Sequence, residues 1–404
     1  MTREDARALD RIDPFARLRD AFDLPEGVIY LDGNSLGPLP RAVPPAVADT
    51  MQRQWGTRLI RSWNEGWIDA PQRLGARIAP LIGAAADEVI VGDTTSTHLF
   101  KAIVAALRHD PARRTVVSEA GNFPTDLHIA EGAVACVPGA RLEVVERAAL
   151  ADALDDDTAL LLLTHIHYKT SERFDLAAWT ARAHAVGALI LWDFSHSVGA
   201  VPLDVTAADA DLAVGCTYKY LNGGPGAPAF LYVAKRLQDA LANPISGWMG
   251  HAEPFAFQDG YRPAAGMKRW LVGTPSILAM ASLEAALDLW TDIDQTAVAA
   301  KSAALFDILA EAGAAAGLPC VSPADPAQRG SHISFRSPHA YALTQALIAR
   351  GVIGDFRDPD ILRLGLTPLY LGHEDVWLAG EQLRDVVATG AWRDPAFAER
   401  NAVT

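Results

Sequence analysis

Five short runs rich in Val, Ile and Leu constrain this chain most: 88–92 (EVIVG), 115–118 (TVVS), 159–165 (ALLLLTH), 188–193 (ALILWD) and 211–217 (DLAVGCT). Helix-like stretches accompany them at 99–108, 125–132, 176–185 and 204–208. Strands that alternate with helices need crossover connections, and these build a mostly parallel sheet sandwiched by helices. Burial on both faces also explains why the runs are continuously apolar rather than alternating. The predicted fold class is therefore α/β. After about residue 285 the texture changes. Helical patterns at 296–316 and 340–350 bracket a short strand at 332–335, and a strand at 361–364 precedes a helix at 375–389. That pattern predicts a smaller α+β C-terminal domain. The expected organisation is an N-terminal arm over 1–39 that packs with the small domain, a large α/β domain over 40–285 and the small domain over 286–404, in line with two or three domains for 404 residues.

Charge and cysteine content exclude several classes of function. With 35 basic against 49 acidic residues the net charge is −14, which argues against nucleic acid or an anionic membrane as partner. A small anion in a local pocket remains compatible with it. Cys136, Cys216 and Cys320 lie far apart, so neither a disulfide framework nor a zinc site is expected, and no metal is assigned. The charged N-terminus lacks an apolar signal core, and no apolar run approaches the ~20 residues of a membrane span. The expected location is cytoplasmic.

Ligands of open parallel sheets bind beyond the carboxyl ends of the strands. The first run is followed by Asp93, Thr94, Thr95, Ser96 and Thr97, the second by Asn122, Phe123, Pro124, Thr125 and Asp126. The third ends at Thr164, the fourth at Asp193-Phe194-Ser195-His196, and the fifth leads into Tyr218-Lys219-Tyr220 and a Gly-rich turn. A single lysine is most often a solvated charge. Lys219, however, stands between a buried strand and a turn that brings backbone close to a ligand, and a desolvated lysine amine condenses with carbonyls. Asp193 at a neighbouring strand end can keep a pyridine nitrogen protonated and make the ring an electron sink. Pyridoxal 5′-phosphate (PLP) requires that pair. Thr95 and Ser96 open a helix, where free N–H groups favour phosphate, although an ordinary cap uses the same residues. Phe123 can stack on a flat ring or simply fill core, His196 can steer Asp193 or be a satisfied buried histidine, and Thr164 can bond a ring substituent.

The segment 192–226, WDFSHSVGAVPLDVTAADADLAVGCTYKYLNGGPG, resembles the cofactor site of fold-type-I PLP enzymes of the aminotransferase class V group. Within that group the chain most resembles the kynureninase family, through YLDGNSLGPLP (30–40), NFPTD (122–126), DFSH (193–196), YKYLNGGPG (218–226), SGWMGH (246–251), VGTPSI (272–277) and RLGLTPLY (363–370). These motifs occur in order over most of the chain. The resemblance implies that Lys219 carries the cofactor, that Tyr218 contacts the phosphate and donates a proton, and that Thr95 and Ser96 bind the phosphate. It implies Phe123 stacked on the ring, Asp193 at its nitrogen with His196 beside it, and Asp126 and Thr164 completing the ring contacts. Trp248 and Thr274 would reach the phosphate from the partner subunit of a homodimer. Arg363 would clamp the substrate carboxylate bidentately, with Asn34 and Trp63 also at the substrate. The implied reaction is hydrolytic Cβ–Cγ cleavage of L-kynurenine to anthranilate and L-alanine, in tryptophan catabolism and the kynurenine route toward NAD. Trp63 and Gly273-Thr274 resemble the kynurenine-preferring pattern, and an apolar pocket rejects an added hydroxyl by only about 100-fold.

Other class V chemistries are the alternatives. A cysteine desulfurase or selenocysteine lyase needs a reactive thiol, whereas Cys216 lies within a strand, and Cys136 and Cys320 have apolar sequence neighbours. An aminotransferase would return the amino group to a 2-oxo acid. A non-catalytic binding module is disfavoured by the intact Lys219, Asp193 and Arg363, and a serine hydrolase by the lack of GxSxG.

Overall fold

The continuous apolar runs become the centre of a sheet because burial leaves their side chains no other surroundings. The computed structural model describes residues 1–400. Its strands are β1 (Ile29–Tyr30), β2 (Val89–Gly92), β3 (Thr115–Glu119), β4 (Arg141–Val145), β5 (Thr158–Thr164), β6 (Leu189–Asp193), β7 (Leu212–Gly215), β8 (Ala229–Val233), β9 (His332–Arg336), β10 (Val352–Ile353), β11 (Asp355–Arg357) and β12 (Ile361–Gly365). The helices are α1 (Arg3–Arg11), α2 (Val43–Asp49), α3 (Ala70–Ile78), α4 (Thr95–His109), α5 (Pro124–Ala135), α6 (Leu176–Ala185), α7 (Ile277–Leu287), α8 (Gln295–Ala315), α9 (Ala340–Ile348) and α10 (His373–Thr389).

The large sheet has the order β2-β8-β7-β6-β5-β3-β4. Its strands β4, β3, β5, β6 and β7 run parallel, and β8 is antiparallel to both β7 and β2. Every residue of β5 is buried, and each leucine taken out of water there is worth about 1.5–3 kcal/mol. Helices α4, α5 and α6 connect and cover these strands, as the α/β reading expects. Two strands carry no such signal. β4 is a half-exposed edge strand with charges at Arg141 and Glu143, and β8 follows the Gly-rich turn too closely to read as a separate unit. The helix expected at 204–208 is absent. Its Val205 and Thr206 amides bond to Ile82 and Gly83 instead, and Asp209 has a positive φ, so the segment is a turn fastened to a neighbouring loop.

The C-terminal part holds an antiparallel sheet of order β11-β12-β9, against which α8 and α9 pack. The N-terminal arm belongs to this layer: β1 pairs in parallel with β10, and α1 packs on α10. The arm then crosses to the other layer, where the Gly37 amide donates to the Tyr218 carbonyl at 2.8 Å. A Cβ on Gly37 would collide with the Lys219 carbonyl, so only glycine permits this approach.

Candidate active site

Strand register decides what the sheet presents. Thr164 at the end of β5 pairs across with Asp193 at the end of β6. Both are buried, and the Thr164 hydroxyl donates to Asp126 Oδ2 at 3.1 Å and also to Asn122 Oδ1. Asp126 reaches the same place from the first turn of α5. Asp193 accepts the Ser195 amide at 2.6 Å. Two carboxyls buried side by side cannot both ionise cheaply. Burial, and then the charge of Asp193, push Asp126 well above the usual carboxylate range, and burial also raises Asp193. Asp126 Oδ1 has no partner among the described residues. The pair is thus short of a hydrogen-bond donor, and a protonated ring nitrogen is a donor that fits it.

Lys219 lies in the turn after β7 and is nearly buried. Its Nζ is 3.0 Å from His196 Nε2, 5.8 Å from the Phe123 ring centre and 5.9 Å from that of Tyr218. Phe123 is 37% exposed, so its ring is open to a stacking ligand. Cys216 beside it, and then burial, raise the Tyr218 hydroxyl above an ordinary phenol, which keeps it a proton donor. At the N-terminus of α4 the cap is Thr94, whose hydroxyl accepts the Thr97 amide at 3.2 Å. Thr95 and Ser96 therefore sit inside the first turn, where backbone N–H groups lack helical partners and suit a phosphate. Nine of the anticipated cofactor residues line one cleft: Thr95, Ser96, Phe123, Asp126, Thr164, Asp193, His196, Tyr218 and Lys219. Their donor set fits PLP, with dipole and amides at one end, a lysine amine in the middle and paired carboxyls at the other.

Other anticipated residues stand elsewhere. Trp248 is 39% exposed and packs edge-on against Phe255 at 5.7 Å, Thr274 is exposed, and Trp63 packs on Trp67 at 5.7 Å. None of the three lines the cleft of its own chain. Asn34 is fully buried. Arg363, on β12, is 1% exposed and already engaged: Nε donates to Asp355 at 2.8 Å, Nη2 to Asp355 and to Ser35 (2.8 Å), and Nη1 to the Tyr168 carbonyl at 2.6 Å. Only one of a guanidinium's five N–H groups is left over. The two-pronged face expected to await a carboxylate therefore already holds one.

Several residues in this network carry no motif. Arg357 also grips Asp355, at 2.5 Å. Burial opposes the Asp355 charge, but Arg363 and Arg357 outweigh it and hold the group at about 2. Asp32 moves the other way, to about 8, through burial and then the nearby Asp355 charge. The only signals for these residues were Asp355 and Arg357 two apart on one strand, hence on one face, and an acid beside the Gly-Asn turn of the arm. The cysteines need a correction. Cys136 and Cys320 are exposed despite their apolar neighbours: Cys136 caps the end of α5, and Cys320 lies outside the strands in an isolated bridge to Phe335 of β9. Neither lines the cleft, and Cys216 is buried with its thiol raised by burial.

The kynureninase C-terminal domain model matches residues 298–383. Curated kynureninases from Burkholderia mallei (strain SAVP1) and Burkholderia pseudomallei (strain 1106a) are each 52% identical to this chain, and one from Pseudomonas fluorescens is 48% identical, all over 100% of both chains. Among solved structures, apo cysteine desulfurase from Thermococcus onnurineus NA1 superposes with a TM-score of 0.77 at 17% identity, over 93% of this chain and 98% of that one. The cysteine desulfurase CsdA from Escherichia coli gives 0.74 at 20% identity, over 93% and 98%. These two likenesses concern the fold alone.

Proposed function

The chain belongs to the kynureninase family of PLP-dependent class V enzymes, and from that premise we propose that it hydrolyses L-kynurenine to anthranilate and L-alanine. The observation that carries this reading is the cleft itself, where Lys219 lies among His196, Phe123 and Tyr218, with the Asp126–Asp193 pair and the α4 N-terminus as its ends.

PLP, when bound, supplies an aldehyde that captures the substrate amine and a protonated ring that draws electrons from the bonds being broken. In this reading Thr95 and Ser96 hold the phosphate by backbone N–H, and Phe123 covers one ring face. Asp193 holds the proton at the ring nitrogen, and Asp126, kept neutral, spares the pair a second charge. Lys219 Nζ removes the proton from the substrate α-carbon and returns a proton to that carbon after the Cβ–Cγ bond has broken, which gives alanine. The Tyr218 hydroxyl delivers a proton to the β-carbon as the bond to the γ-carbon, hydrated by water, breaks, and it regains a proton from the hydrated γ-carbon as that carbon becomes the aryl acid. Arg363 takes the substrate carboxylate in exchange for Asp355, which stays paired with Arg357.

Trp248, Thr274 and Trp63 are proposed to serve the cleft of a second copy, giving a homodimer with shared sites. Their absence from their own cleft supports this, as do the exposed Phe255 and Phe257 beside Trp248. In that arrangement Trp63 presents an indole to the aryl ring and favours kynurenine over its 3-hydroxy form. The arm (1–39), large unit (40–285) and small unit (286–404) are proposed as the working parts, with Asn34 lying behind the substrate. No helix among the described residues is long and apolar enough to cross a membrane, and a cytoplasmic setting is proposed.

The test is to load purified protein with PLP, add L-kynurenine or 3-hydroxykynurenine, and follow the anthranilate product by fluorescence beside Lys219→Ala. Turnover that depends on Lys219 supports the reading, and the ratio of the two substrates reports the preference. A protein that binds PLP but yields no anthranilate refutes it.

A further inference from the structure

Burial and the nearby Lys219 charge hold the His196 ring neutral, so it carries one N–H. Which nitrogen bears the proton is set by the partners of the other. An ammonium only donates. A charged Lys219, 3.0 Å from Nε2, therefore needs Nε2 as acceptor and the proton on Nδ1. That N–H is buried, yet Nδ1 has no partner among the described residues. An unmet buried donor costs about 1–3 kcal/mol, so the tautomer Lys219 requires is the one its surroundings leave unsupported.

The neighbour on the far side is His332 at the start of β9. Its ring centre lies 5.8 Å from that of His196 at an interplanar angle of 59°. His332 is fully buried, and neither of its nitrogens has a partner among the described residues. Asn34 adjoins it. His332 pairs across with Gly365, and Asn34 Oδ1 fills the place of the Cβ that Gly365 lacks. Both polar atoms of the Asn34 amide are also unpartnered among the described residues. Three neighbouring side chains thus carry five buried polar atoms with no partner among the described residues. At this ring separation two nitrogens come no nearer than roughly 3.5 Å, beyond a good direct hydrogen bond but suited to one bridging water. Such a water is normal where it meets two to four polar partners.

We propose that His332, with Asn34, holds an internal water that accepts the Nδ1–H of His196 and thereby fixes the tautomer that offers Nε2 to Lys219. His332 is a positioning residue, acting on the lysine through His196 without touching substrate.

The test is selective ¹⁵N-histidine labelling of the full-length, cofactor-free chain, with long-range ¹H–¹⁵N spectra to read ring tautomers and His196→Gln for assignment. Wild type is expected to show His196 as the Nδ1–H form. His332→Leu should shift it to a mixture or to the Nε2–H form, and His332→Gln, which keeps a donor and an acceptor, should restore it. Should His332→Leu fail to fold, His332→Met takes its place. In the PLP-loaded enzyme the apolar variant should lose about tenfold in kcat with KM unchanged, and the Gln variant should recover most of it. An Nε2–H His196 in wild type, or an unchanged tautomer in the apolar variant, overturns the proposal. The kinetic arm rests on the reaction proposed above but the tautomer arm does not, so failure of either is distinguishable.

Discussion

Asp32 offers a sharp test because its charge state would tie stability to the proposed capture of the substrate carboxylate. The group is pushed up to about 8 by burial and by the Asp355 charge, whereas an unfolded aspartate titrates near ~3.9. Between those values the unfolded chain releases a proton that the folded chain keeps. Stability therefore falls as pH rises through that window, by up to about 1.4 kcal/mol per pH unit, and levels off above the folded value. Asp32→Asn replaces the neutral acid by a neutral amide of the same shape and removes this term. Denaturant unfolding followed from pH 4.5 to 7.5 should show the variant gaining on wild type steadily, by about 2–4 kcal/mol across the window. Asp355 does not interfere, since its lowered pKa confines its contribution to acid. That stability is present above the unfolded value and lost as pH falls toward about 2. The same proton matters for binding. With Asp32 neutral, Arg357, Arg363 and Asp355 sum to one positive charge, which attracts a carboxylate. Ionisation above about pH 8 cancels it, so KM for the amino-acid substrate should rise there in wild type and stay flat in the variant. A stability difference independent of pH would refute the reasoning, because it would mean that Asp32 is ionised in the folded protein.

Replacing Arg363 with lysine removes the fork that meets Asp355, Ser35 and Tyr168 together. kcat/KM should fall roughly 30- to 150-fold, mostly through KM, at about 2–3 kcal/mol for lost charge-assisted bonds, and steady-state kinetics decide it. Thr94→Ala should cost about 1 kcal/mol of stability through loss of the α4 cap and weaken cofactor retention, readable by denaturation and by equilibrium dialysis of PLP. Phe123→Ala, at a half-open ring, should leave the unfolding midpoint within experimental error yet release PLP faster, as followed by the decay of its bound absorption.

Most of the large sheet is legible in the sequence because a strand covered on both faces has no solvent side to encode, so its apolar run is unbroken. The same logic hides β4, whose exposed edge admits Arg141 and Glu143. It also misleads at 204–208, where helix-like composition loses to hydrogen bonds from a distant loop. Lys219, Asp193 and Thr164 were readable because strand ends converge by topology. The Arg363 network was not, since Asp32, Ser35, Tyr168, Asp355 and Arg357 come from segments that meet only in three dimensions. Trp63, Trp248 and Thr274 are marked by family resemblance alone, and none of them lines the cleft of its own chain.

The threading of the arm also dictates when the site can exist. Tyr370 donates its hydroxyl to the Tyr30 carbonyl across 340 residues of sequence, and among the described residues β1 pairs with no strand other than β10. During synthesis the sheet and its lysine turn leave the ribosome well before β10 and Tyr370 do. Contacts of such long separation form slowly. The segment that buttresses Lys219 is tied to the sheet side by Gly37 and by Asn222, which donates to the Pro38 carbonyl at 3.2 Å, and it gains its second anchor only with the final part of the chain. A nascent chain thus owns every residue of the cleft before the arm beneath Lys219 is fixed at both ends.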